Sequence, residues 1–126
     1  MSGIYDALIG VAMVAGRGLL VSWFGVAPPV PPIHADLNGL FTLVIAAGYA
    51  LPYRDPVRFR PYLWLMGPCL KGAGAVLFIL DHVLRGSPAS FLLFAAGDGT
   101  LALVTLWALL TSSASRTGSR PAHRPQ

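Results

Sequence analysis

The sequence predicts an all-α, polytopic membrane protein: an antiparallel four-helix transmembrane bundle with both termini in the cytoplasm. Three observations predict it. Apolar residues make up 55% of the 126-residue chain and charged residues only 11%, far from the mixture of a soluble domain. The apolar content gathers into four stretches, 5–26, 36–53, 61–83 and 89–111, and each matches the roughly 17 to 25 helical residues that cross a hydrocarbon core of about 30 Å. The positive charges are unevenly placed: Arg54, Arg58 and Arg60 fill the second loop, Arg116, Arg120 and Arg124 mark the tail, and Arg85 alone occupies the third loop. That bias puts the second loop and both termini on the cytoplasmic side, hence a multi-pass protein of the inner (plasma) membrane.

Helix one, from Tyr5 to Val26, has Asp6 in its first turn, where a carboxylate complements the positive end of the helix dipole. Trp23 and Phe24 suit the interface at its far end. The absence of a basic leading region, the length of this segment and Arg17 at its centre argue against a cleaved signal peptide. A stiff, proline-rich loop follows at 27–34, and Asp36 reads as the N-cap of helix two. Helix two carries a polar stripe at Asn38, Thr42, Tyr49 and Tyr53, one helical face directed into the bundle.

The short turn 54–60 makes helices two and three antiparallel neighbours. Helix three aligns Gly67, Lys71, Gly74, Phe78 and Asp81 at alternating steps of four and three, one continuous stripe. Pro68 removes a backbone donor and bends that helix a turn before Lys71. The single Cys69 excludes an internal disulfide and is expected to pack within helix three as a small apolar residue. Helix four surrounds Asp98 with Ala95, Ala96, Gly97 and Gly99, small residues that allow close approach. Residues 1–111 thus form one transmembrane domain, and residues 112–126, rich in Ser, Arg, Pro and Gly, form a disordered basic cytoplasmic tail.

Arg17, Lys71 and Asp98 lie near the middles of three different apolar segments. An ionisable group at bilayer depth is expensive, about 2.5 to 3.5 kcal/mol on the insertion scale, so it faces inward and pairs. At 1.5 Å per residue the three sit at similar depths, so they are expected to meet. Two cations and one anion leave one positive charge to compensate. Arg17 can snorkel toward Asp36 or the Asn38 carbonyl, Lys71 can lose its proton, or an anionic or electron-rich ligand, such as a lipid phosphate or quinone carbonyl, can supply the balance. Arg17, Lys71, Asp98, Asp36, Asn38 and Tyr49 are therefore the candidate network or ligand-binding residues.

His34, Asp36, Asp81 and His82 form a second, outer-side group with metal-ligand chemistry. Their spacing matches no metal motif, and they are read as solvated helix-end residues rather than as ligands. No catalytic residue emerges: Glu is absent, and the GxG fragments at 16–18, 72–74 and 97–99 lie inside helices, where no phosphate-cradling loop forms. These glycines are expected to let helices pack beside the charges. No resident cofactor is implied beyond a bound quinone or lipid. Nucleic acid is a poor partner, because the arginines serve orientation and anionic lipid headgroups.

With Asp36 opening helix two, the turn Arg54-Asp55-Pro56, Lys71 midway along helix three and Gly97-Asp98 in helix four, the chain resembles small four-helix bacterial membrane proteins of the DoxX-like type. The resemblance covers residues 5–111. It implies subunits and accessories of membrane redox systems, alongside members without an assigned activity. The small multidrug exporters, also four-helix, place a Glu in the first helix where this chain has Arg17. Three function classes follow: a non-catalytic accessory or assembly subunit held by its charge network, a quinone- or lipid-binding component of an oxidoreductase or lipid-modifying system, and a proton-coupled carrier. Glycine faces left over by one four-helix unit suit a homodimer or a membrane-complex partner.

Overall fold

In the computed structural model, which describes residues 1–25, 27, 28 and 30–117, with side chains to 112, the described residues are mostly helical and form no strand. Helix α1 runs Ser2–Ala15 and α2 runs Arg17–Phe24; α3 (Ile33–Gly48) continues into α4 (Ala50–Arg54). Next, α5 (Arg60–Trp64) passes through a π-helical stretch, Leu65–Lys71, into α6 (Gly72–Arg85). A 3₁₀ turn, Ala89–Phe91, opens α7 (Leu92–Thr117). Three continuous helices, Ile33–Arg54, Arg60–Arg85 and Ala89–Ser112, are long and apolar enough to cross a membrane.

The first segment departs from the straight helix expected over 5–26. It breaks at Gly16, and α1 and α2 diverge by 102°, so this pair supplies a fourth span only if the two count as one broken element. The local cause is the run Gly16-Arg17-Gly18, which places two poor helix formers around one residue. Gly16 adopts φ −112° and ψ 22°, outside the helical region. The expectation that these glycines serve helix contacts is corrected: an added Cβ on Gly18 would meet nothing within 4 Å, and the atoms nearest to one on Gly16 belong to Ala12 of the preceding helix.

The contact with α3 is made further back, at Gly10. A Cβ there would come within 2.9 Å of the Gly39 carbonyl, and one on Gly39 within 3.0 Å of the Gly10 carbonyl. Each glycine clears the space the other backbone occupies, the close crossing typical of membrane helices. On the other side, α5, the π-helical stretch and α6 pack along α7 in antiparallel sense. A Cβ on Gly67 would press on Thr105, one on Gly74 would meet Asp98 Oδ2 at 3.2 Å, and one on Gly99 would meet Ala75 at 3.6 Å.

The two halves are joined at three levels. At the turn end, Tyr49 donates to the Met66 carbonyl at 3.1 Å and Tyr62 donates to the Ile45 carbonyl at 3.0 Å, and the two rings meet edge to face with centroids 5.6 Å apart. Lys71 bridges the middle. At the far end Phe24 stacks on Phe94 at 4.9 Å, Phe94 stacks on Phe78 at 5.5 Å, and Ser90 donates to the Phe24 carbonyl at 2.9 Å. Phe24 is therefore a packing residue, while Trp23 beside it is exposed.

Several boundaries differ from the sequence reading. Helix α3 begins at Ile33 with Pro32 as its N-cap, so Asp36 sits in the first turn rather than capping it. Pro68 lies within the π-helical stretch, a wider turn that absorbs its missing donor. Cys69 is exposed, not packed. Helix α7 runs beyond Thr111 to Thr117, and the remaining tail, 118–126, lies outside the described residues. Arg60, expected to face headgroups, instead reaches α7, donating to the Leu109 carbonyl and to Ser112 Oγ.

Candidate functional site

The charged centre is built from three elements. Lys71 comes from the last residue of the π-helical stretch, Asp98 from α7 and Asp6 from α1. The Lys71 Nζ lies 2.6 Å from Asp6 Oδ1 and 3.1 Å from Asp98 Oδ1, with side-chain exposures of 5% for Lys71, 9% for Asp6 and 18% for Asp98. The Tyr5 ring also flanks it, with its centroid 4.8 Å from Nζ, within cation–π range. The ammonium is thus enclosed by two carboxylates and an aromatic face. Gly74 leaves room for Asp98 Oδ2, and Gly97 does the same for the Tyr5 hydroxyl, since a Cβ there would sit 2.7 Å from it.

Lys71 and Asp98 meet as the sequence predicts, but the third member is Asp6, not Arg17. Arg17 turns away with α2 and pairs with Asp36, Nη1 to Oδ1 3.4 Å, both side chains more than a third exposed. This is the pairing foreseen for a snorkelling arginine, and it reverses the charge sum at the centre. Two carboxylates face one ammonium, so the formal balance is −1 where +1 was expected. The same geometry leaves Asp6 Oδ2 buried without a hydrogen-bond partner, and such an orphaned polar atom is costly.

In the sequence Asp6 has the marks of an acidic helix-end group only. Its burial follows from Gly10, one turn later, which lets α1 press against α3 and brings Asp6 beneath Lys71. Of the other expected site residues, Tyr49 is engaged with Met66 across the helix-two/helix-three contact rather than with a charge. The Asn38 carbonyl accepts from Thr42 Oγ at 2.8 Å. Tyr53, last of the expected inward stripe, is exposed.

Along the charged centre runs a groove of about 940 Å³. Its walls come from α1, α2, α3, α6 and α7; Ile9, Leu20, Ile45 and Phe78 represent its mostly apolar lining, and Asp6, Lys71 and Asp98 stand in its wall. Asn38 and Arg17 line the same space, and Arg17 is the residue that pairs with Asp36. It is of the size and character of a small-molecule site: apolar walls with a few convergent polar groups.

The outer polar group does not assemble. Among the described residues no three His, Cys, Asp or Glu side chains come together as a metal site. Asp81 receives Ser87 Oγ and, at 3.0 Å, Arg85 Nη1, while His82 Nδ1 lies 2.6 Å from the Ser87 carbonyl. These contacts close the end of α6. Asp36 lies in ion-pair range of Arg17, though its Oδ1 makes no hydrogen bond.

Comparison of the chain with known protein families, characterised proteins and solved structures finds no match. The groove and its charged centre therefore carry the functional argument.

Proposed function

We propose that this chain is a small multi-pass protein of the inner membrane, a four-helix bundle of DoxX-like type with both termini in the cytoplasm, acting as a non-catalytic accessory that holds an amphipathic molecule in its groove. The groove of about 940 Å³, apolar along its walls and ending on buried Lys71 and Asp6 and part-buried Asp98, is the observation that carries this reading. An apolar cavity with a charged wall suits a ligand with an apolar body and a polar head, and membrane lipids and quinones are of that kind. Helices of 22, 26 and 24 residues support insertion, with the bent first pair as the fourth span. The concentration of Arg54, Arg58 and Arg60 in one loop against Arg85 in the next supports the orientation.

The test is to purify the full chain in mild detergent, extract it with organic solvent and analyse the extract by mass spectrometry. A lipid or quinone should co-purify stoichiometrically with the wild type and be lost from Ile9→Trp, which fills the groove. Absence of any such species from well-folded wild-type protein would count against the reading.

A further inference from the structure

We propose that the Asp6–Lys71–Asp98 centre binds a primary amine, so that the groove's occupant is a cationic amphiphile whose ammonium group sits on Asp6. This rests on the reading of the groove as a site for amphipathic molecules and adds the chemistry of the head group.

Lys71 has three N–H donors and no acceptor. Two point at Asp6 Oδ1 and Asp98 Oδ1, and the Tyr5 ring flanks the ammonium. A ligand phosphate or carboxylate arriving here finds a cation already enclosed, beside two groups of its own sign. The carboxylates, by contrast, have acceptor capacity left. An ionised carboxylate accepts about four hydrogen bonds, and Asp6 Oδ2 is buried with none.

The charges around the groove agree. Asp6 and Asp98 against Lys71 leave one negative charge, and the other charged residue of the wall, Arg17, is paired with Asp36. A monovalent organic cation restores neutrality in a place where an uncompensated charge is expensive. Its ammonium can donate to Asp6 Oδ2 while its apolar body lies along Ile9, Leu20 and Phe78. The Tyr5 ring adds a cation-attracting face on the same wall. Multivalent metal ions need a fuller set of oxygen ligands than this, and the described residues bring no such set together.

The experiment compares three probes of equal chain length, octylamine, octanol and octanoate, on the purified full-length chain in detergent, read by thermal shift and by titration calorimetry. Octylamine should bind at least roughly tenfold more tightly than either other probe, the order expected of one charge-assisted hydrogen bond. Asp6→Asn should remove that advantage while keeping octanol binding. Octylamine and octanol binding equally would overturn the amine site and leave the amphiphile groove standing. Tighter binding of octanoate would overturn it through the wrong sign of charge. If none of the three binds, the groove reading itself falls.

The probe comparison needs no variant, so it decides the matter even where Asp6→Asn fails to fold. Infrared spectroscopy gives a second readout on the wild type. A protonated-carboxyl band that persists under saturating octylamine would mean that a proton, not an amine, neutralises the centre, and would overturn the proposal.

Discussion

Lys71 Nζ lies 2.6 Å from Asp6 Oδ1 although 65 residues separate them in the chain. With Asp98 on the same ammonium, one side chain ties the start of the chain to both later helices. Ion pairs at such burial contribute strongly only while they stay complete. Removing one partner strands the others, whereas replacing the whole set by apolar groups relieves every desolvation term together.

Lys71→Met should therefore be severe, because two carboxylates are left facing each other in a buried place. The expected loss is about 3 to 5 kcal/mol, seen as a collapse of folded protein on size-exclusion chromatography and a lowered midpoint of unfolding. Arg17→Met should be mild, since its pair with Asp36 is partly exposed and long, and exposed pairs contribute about 0 to 1 kcal/mol. Equal sensitivity of the two sites would contradict the separation of Arg17 from the centre.

The triple variant Asp6→Leu, Lys71→Met, Asp98→Leu should recover most of the stability lost in Lys71→Met alone. Unfolding midpoints measured side by side check this. A recovered fold that no longer binds amphiphiles would separate the role of the centre in binding from its role in packing.

At the crossing of α1 and α3, Gly10→Val or Gly39→Val should block close approach, because the added carbons meet backbone on the facing helix. Overpacking of this kind costs about 1 to 3 kcal/mol or more. Gly18→Ala is the internal control: its Cβ would meet nothing within 4 Å, and in helical conformation the exchange should stabilise by about 0.5 to 1 kcal/mol. Thermal unfolding of all three variants should show opposite signs.

Tyr49→Phe and Tyr62→Phe each delete one hydroxyl-to-carbonyl bond, at 3.1 and 3.0 Å. Each should cost about 1 kcal/mol. Because the rings also touch, the double variant should depart from additivity by about 0.5 kcal/mol or more. Strict additivity in the double-mutant cycle would mean that the two bonds act independently.

The helical class and three of the long apolar helices were legible because length and hydropathy express the same constraint. Lys71 and Asp98 were legible as partners because charge at depth has few solutions. Asp6 was misassigned, since a carboxylate near a helix start has an ordinary dipole role and nothing local marks it as buried. The break at Gly16 stood in plain view as Gly-Arg-Gly, yet two readings of those glycines, contact or hinge, share one composition. Cys69 and the Tyr49–Met66 bond depend on the facing set by the π-helical stretch around Pro68. A regular 3.6-residue period does not anticipate that wider turn.

The crossed tyrosines also govern what kind of motion the molecule allows. Tyr49 reaches from the earlier helix to a carbonyl of the later one, and Tyr62 reaches back in the opposite direction. Sliding either helix along its axis by one residue, about 1.5 Å, would pull one hydroxyl off its target while driving the other past it. Piston-like displacement of these two helices is thus opposed at this end.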